Sequence, residues 1–202
     1  MIFSPILRIV DVTPPDIPEG TLVLTSEQGV RRAAALGLRG RRVWTVGPRT
    51  ARLADAEGFV RETFVPGTAD ALLEAIAAQE RGPVVHLHGR HVTRDVARAL
   101  RQRGLQAESR VVYDQIARSL SLAARSRIAD GHALLPLFSP RSARLVAHDL
   151  VAPPPASTAV VAMSEAVAEA WPFGGTVHIA PRPDAEAMLQ VLAALVAVET
   201  ER

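Results

Sequence analysis

Residues 21–36, TLVLTSEQGVRRAAAL, and residues 133–150, ALLPLFSPRSARLVAHDL, follow one plan twice. In the first, Leu22, Val23 and Leu24 read as a short apolar strand, Thr25 and Ser26 turn the chain, and a helix follows that carries Arg31 and Arg32. In the second, Leu134, Leu135, Leu137 and Phe138 form the strand, Ser139 takes the corner, and Ser142 and Arg144 lie on the helix. The offset from Ser26 to Ser139 is 113 residues. A second pair follows at an offset of 117: Val43, Trp44 and Val46 run into Gly47 and a helix through Thr50 and Ala51, and Val160, Val161 and Met163 run into Ser164 and a helix through Val167 and Ala168. Each copy closes with a proline, a turn and a helix, Pro66 to Ile76 and Pro183 to Leu195. The duplication predicts two similar lobes, with a cleft between them as the first place to look for function.

Outward from the two copies, apolar runs of strand length alternate with amphipathic helical stretches, the pattern of a mainly parallel sheet covered on both faces. Helices are predicted near Ser26–Leu36, Arg49–Glu57, Ala69–Gln79, Thr93–Arg103, Pro140–Asp149, Glu165–Trp171 and Asp184–Thr200. Strands are predicted near Leu22–Leu24, Arg42–Val46, Glu62–Val65, Val84–His88, Glu108–Tyr113, Ala133–Phe138, Thr158–Met163 and Thr176–Ile179. The Pro14–Gly20 turn marks one lobe boundary and Ala117–Ala124 the other, while Pro153, Pro154 and Pro155 make a stiff loop.

The unit between the copies, strand Val84–His88, a turn at Gly89, helix Thr93–Arg103 and strand Glu108–Tyr113, has no visible counterpart. Ile6–Val10 resembles its last strand, but nothing before Met1 supplies the strand and helix that would precede it. The expectation is an N-terminal strand-helix unit missing from the second lobe, leaving apolar surface uncovered.

Composition narrows the chemistry. The chain has 202 residues, 48% hydrophobic, enough for packed cores in two small domains. No window reads as a membrane span, and Pro5 and Arg8 interrupt any leader core, so the cytoplasm is the default location. The absence of Cys excludes disulfides, thiolate catalysis and thiolate metal sites. All 23 basic residues are Arg, which excludes a Schiff-base lysine, a P-loop lysine and a pyridoxal phosphate anchor. The high isoelectric point reflects that missing Lys and Cys at a net charge of only +2, and is no signature of nucleic-acid binding.

Ligands of open parallel sheets gather outside the carboxyl ends of the strands. Thr25, Ser26, Gly47, Gly89, Ser139 and Ser164 fall at such ends, where small and hydroxyl residues let helix N-terminal amides approach an anion. Singly, each reads first as a helix cap. Together, on the matching edges of two lobes, they point to a cleft for a polyanionic ligand. Tyr113, the sole Tyr, ends the strand leading toward the lobe boundary, and Arg90 beside Gly89 suits a carboxylate. His86, His88 and His91 raise a metal site, but no carboxylate or second cluster completes it, and none is assigned. Ser139 and Ser142 lack the glycines of a nucleophile elbow and an assigned His and Asp pair. No dinucleotide fingerprint, P-loop or paired-carboxylate motif is present.

Six segments in order, L-V-L-T-S-E-Q-G-V-R (22–31), V-G-P-R-T-A (46–51), L-H-G-R (87–90), V-V-Y (111–113), F-S-P-R-S-A-R (138–144) and A-P-R-P (180–183), resemble the uroporphyrinogen-III synthase family along nearly the whole chain. The resemblance implies an α/β fold of two flavodoxin-like lobes with parallel sheets: a continuous lobe at 14–112, a discontinuous one at 1–8 and 117–202, and a two-stranded connector at 9–13 and 113–116. It implies a hydro-lyase that cyclises hydroxymethylbilane, with loss of water and inversion of the terminal pyrrole ring, to uroporphyrinogen III in tetrapyrrole biosynthesis. No cofactor and no metal are implied. The partners implied are that small-molecule substrate and transient contact with the enzyme supplying it, with no nucleic acid, no membrane and a monomeric state. Tyr113 matches the family's cleft tyrosine, and Thr25, Ser26, Thr50, Ser139 and Ser142 match cleft positions. The second G-x-x-T-A element departs, with Ser164 in place of Gly and Val167 in place of Thr. The alternative is a non-catalytic or truncated relative acting as a two-lobed binding or regulatory module.

Overall fold

The structure, a computed structural model, describes residues 1–62, 68–131 and 133–200. The chain divides into two compact units, one of Ile9–Ile116 and one of Met1–Arg8 with Ala117–Arg202. It crosses between them twice, along β1 (Leu7–Asp11) and along β6 (Ala107–Ala117).

The sheet of the Ile9–Ile116 unit is built from β1, β2 (Thr21–Leu24), β3 (Arg42–Thr45), β4 (Val60–Arg61), β5 (Val84–Gly89) and β6, in the order β1-β6-β5-β2-β3-β4. The pairs from β6 through β4 are parallel. β1 runs antiparallel beside β6, with Val12 N–H donating to Val112 and Arg118 N–H to Ile6. All four residues of central β2 are buried, because helices cover both faces of a parallel sheet. On one face α1 (Glu27–Ala35) and α2 (Pro48–Ala56) close a core with Leu22, Leu24, Val43, Val85 and Leu87. On the other, α3 (Ala69–Gln79) and α4 (Val96–Arg101) pack on Val23, Trp44 and Val84. α1 forms because Gly29, Val30, Ala33 and Ala34 recur on one helical face, with Ser26 capping its start and Glu27 and Arg32 placed to suit its dipole.

The second sheet is parallel and has three strands among the described residues, β7 (Leu134–Leu137), β8 (Ala159–Ala162) and β9 (Thr176–Ile179), in that order. α6 (Pro140–Leu150) and α7 (Glu165–Glu169) pack on one face, and α8 (Ala185–Thr200) packs on the other through Ala187 and Met188. Ala133 and Leu137 aim their carbonyls at β8. The alternate positions Leu134 and Pro136 therefore face the outer edge of β7, where Pro136 has no N–H to offer.

The predicted α/β class and parallel sheets are as expected, with differences in detail. The segment Ala117–Ala124, expected as a lobe boundary, begins where the chain passes between the two units, and it ends β6 and opens α5 (Leu122–Ala129), capped by Ser121. β6 runs four residues beyond Tyr113, the strand end expected from sequence, because β1 pairs with its second half. The helix expected from Thr93 starts at Val96, where Asp95 accepts from Arg98 N–H as its cap. Of the strand expected at Glu62–Val65, only Glu62 is described, directly after β4; Thr63–Val65 and the turn at Pro66 lie outside the described residues.

Candidate active site

At the carboxyl edge of the Ile9–Ile116 sheet the strand ends meet the helix N-termini. β2 delivers Thr25 and Ser26, β3 delivers Gly47, β5 ends on Gly89, and Tyr113 sits on β6. Ser26 Oγ accepts from Gly29 N–H at 3.0 Å and lies 3.0 Å from the Tyr113 hydroxyl oxygen. A serine hydroxyl has one proton and two lone pairs, so it can serve the helix cap and the phenol together. The Tyr113 residue is only 8% exposed, and its ring lies over Gly89 so closely that a Cβ there would fall 2.4 Å from Cε2.

A β-bulge aims that ring. His88 pairs with Val111, but Gly89 pairs with Tyr113, so Val112 is an extra residue in β6. Side chains of a regular strand alternate between faces, and one inserted residue reverses the alternation beyond it. Consecutive Val112 and Tyr113 accordingly both enter the core under α1 and α2. Arg90 N–H then donates to Tyr113 O at 3.0 Å.

Thr25 points to the opposite face of the sheet, where its Oγ1 lies 3.4 Å from His86 Nε2. His86 is 2% exposed and stacks on His88 at a 4.7 Å centroid separation. Burial pushes the His86 imidazole down to about 3, His88 acts in the same direction, and Asp95 opposes them. The ring is therefore neutral at ordinary pH. His91 is exposed and approaches Asp114 at 3.5 Å. Among the described residues no group of three His, Asp or Glu side chains is placed to hold a metal ion.

The rim carries exchangeable charge. Arg90 Nε donates to Asp114 at 2.7 Å, which, opposed only by partial desolvation, holds that carboxyl below the usual range. Arg49 meets Glu27 at 3.0 Å, and Arg31 approaches the same carboxylate at 3.8 Å. Exposed pairs of this kind are worth about 0–1 kcal/mol, so an incoming carboxylate can replace either partner at little cost. α2 opens on Gly47, at φ 78° and without a side-chain cap, which leaves its first-turn N–H groups clear of side-chain acceptors. Thr50, one turn in, is buried.

In the other unit Ser139 and Ser142 occupy each other in a capping box: each hydroxyl accepts the other's backbone N–H at 3.1 Å, and the two oxygens lie 2.7 Å apart. Ser164 is the N-cap of α7 and makes no side-chain cap bond, and Val167 is buried in the α6/α7 core.

Of the residues singled out from sequence, Tyr113 touches both Ser26 and Gly89, and Arg90 joins it through its backbone. Thr25, Gly47 and Thr50 lie at that same edge, and Ser139, Ser142 and Ser164 sit on the carboxyl edge of the other sheet. Sequence reasoning missed Asp114, Glu27 and Arg32. Asp114 was findable, since it follows the strand Tyr directly.

Residues 2–190 match the family model described as Uroporphyrinogen-III synthase HemD. The fold resembles a uroporphyrinogen-III synthetase structure from Helicobacter pylori at a TM-score of 0.76 and 15% identity, covering 94% of this chain and 91% of that one. It also resembles a mutant uroporphyrinogen III synthase from Thermus thermophilus at a TM-score of 0.54 and 18% identity, covering 96% and 88%. A search of curated protein sequences gives no match. Among the described residues no helix is long and apolar enough to cross a membrane.

Proposed function

This chain belongs to the uroporphyrinogen-III synthase family, and from that premise we propose that it cyclises linear hydroxymethylbilane to uroporphyrinogen III, as a hydro-lyase in porphyrin and heme biosynthesis. The observation that carries the reading is the phenol of Tyr113, seated on Gly89 and hydrogen-bonded to Ser26 at a sheet edge rich in N–H donors and Arg.

In this reading the substrate's hydroxymethyl C–O bond breaks, and the oxygen leaves as water after gaining a proton. Tyr113 O–H donates a hydrogen bond to that oxygen, and Ser26 holds the phenol in register for it. The electron-poor azafulvene left behind is attacked by the substituted carbon of the terminal pyrrole, giving a spiro intermediate. The bond from the spiro carbon to its original bridge carbon then breaks, that bridge carbon bonds instead to the ring's free α-carbon, which inverts the ring, and loss of the proton from that α-carbon restores the pyrrole and completes the macrocycle. The substrate's carboxylates are met by the first-turn amides of α1 and α2 and by Arg90, Arg49 and Arg31, whose surface partners give way cheaply. Most of the advantage over spontaneous closure comes from holding the reacting carbons in the inverting geometry.

The test is a coupled assay in which hydroxymethylbilane is generated in situ, the protein is added, and products are oxidised and separated as uroporphyrins I and III. Predominant isomer III is expected. Isomer I alone, from protein shown to be folded by circular dichroism, overturns the proposal.

A further inference from the structure

Arg32 serves no substrate-facing role in the reading above, yet its guanidinium is mostly buried, with a side-chain exposure of 12%. It leaves α1 and makes three hydrogen bonds: Nε to Val112 O at 3.0 Å, Nη1 to Asp11 Oδ2 at 3.0 Å and Nη2 to Val12 O at 3.3 Å. Val112 is the bulge residue that turns Tyr113 onto Gly89. A bulge interrupts the ladder and leaves backbone groups in need of other partners. The Val112 carbonyl keeps the pairing bond on the β1 side, from Val12 N–H at 3.0 Å, and takes a second from Arg32 Nε.

We infer that Arg32 is the positioning residue for Tyr113: it holds the β6 bulge, and with it β1, in the arrangement that places the phenol against Ser26. One short helix then grips the tyrosine at two points, through Ser26 on the hydroxyl and through Arg32 on the carbonyl just before it. The planar guanidinium reaches three acceptors in different directions, which the point-like ammonium of a Lys does not do. The role in turnover rests on the proposed synthase reading; the role in placing Tyr113 does not.

Because Tyr113 is the sole Tyr, its ring carbon can be labelled with 13C and followed by NMR without assignment. In Arg32→Met the Tyr113 signal is expected to shift and broaden, and kcat to fall about 100-fold while KM stays within about 3-fold, since a misplacement near 1 Å is of that consequence. Asp11→Asn keeps the bond to Val112 and is expected to leave the signal and kcat near wild type. Arg32→Lys decides by the same readouts should Arg32→Met fail to fold, and is expected to recover only part of the loss. A folded Arg32 variant with the wild-type Tyr113 signal overturns the inference. A shifted signal in protein that makes no isomer III even as wild type upholds the positioning role and overturns the synthase reading instead.

Discussion

Replacing Gly89 with Ala tests the tyrosine seat with a single methyl group. An added Cβ lies 2.4 Å from Tyr113 Cε2, 2.6 Å from Cζ and 3.0 Å from the hydroxyl oxygen. Ordinary carbon contacts begin near 3.4 Å, so the ring must retreat by about 1 Å. It has little room, because the residue is buried beneath α1 and α2 and its carbonyl is held by Arg90 N–H. Forcing a methyl into such a site costs about 1–3 kcal/mol, or a fall in thermal midpoint of about 2–12 °C for a chain of this size. The same retreat stretches the 3.0 Å contact to Ser26, and kcat is expected to fall about 100-fold, with KM changing far less. The assay is isomer-resolved turnover on variant protein, alongside differential scanning calorimetry and the NMR signal of labelled Tyr113. A Gly89→Ala protein with unchanged midpoint, unchanged kcat and an unmoved tyrosine signal would refute the reasoning.

Tyr113→Phe is expected to slow isomer III formation about 10- to 100-fold, the share of a hydrogen-bond donor to a leaving group, with the fold intact by circular dichroism; an unaltered rate sinks its role. Ser26→Ala removes both the α1 cap and the phenol's partner, and should cost about 1 kcal/mol in urea denaturation as well as activity. Burial lowers the folded-state value of His86 to about 3, from the ordinary imidazole value of 6.5. Below about 6.5 the unfolded chain takes up a proton that the folded chain refuses, so stability is full above that pH and declines toward 3, by at most about 1.4 kcal/mol per unit from this group. His86→Gln should flatten that slope in denaturation curves measured between those limits; an unchanged slope counts against the assignment. Glu80 is buried beneath β3, where it accepts from Trp44 Nε1 at 2.8 Å and Thr21 Oγ1 at 3.2 Å and pairs with Arg42. Glu80→Ala should destabilise by about 3 kcal/mol while leaving turnover in the folded protein unchanged, since it strands an indole N–H in the core far from the strand carboxyl ends.

The duplicated strand-to-helix corners were readable because strand, hydroxyl and amphipathic helix are each local patterns. Ser26 and Gly89 could be picked out singly for the same reason, since each sits where a strand stops and a turn begins; Tyr113 was picked out as the sole Tyr, at a strand end that β6 in fact runs past. Their contact could not, because it depends on the one-residue bulge at Val112, and a bulge is a property of the register between β5 and β6 rather than of either strand. α5 escaped notice because it is short, Ala-rich and weakly amphipathic, with only Ala124 and Ile128 buried. Ser139 reads from the sequence first as a helix cap, and with Ser142 three residues on at the helix N-terminus the two hydroxyls satisfy each other.

Pro136 has a consequence for how this protein behaves in a crowded solution. The three-stranded sheet ends on β7, whose sequence, Leu134 to Leu137, is wholly uncharged. An uncharged, apolar terminal strand is the usual template for self-association into intermolecular sheet. At the outward position where a docking strand would look for a donor, the pyrrolidine ring presents carbon instead. Every copy thus carries its own chain terminator against fibre growth, and Pro136→Val should lower the concentration at which the protein forms thioflavin-binding aggregates.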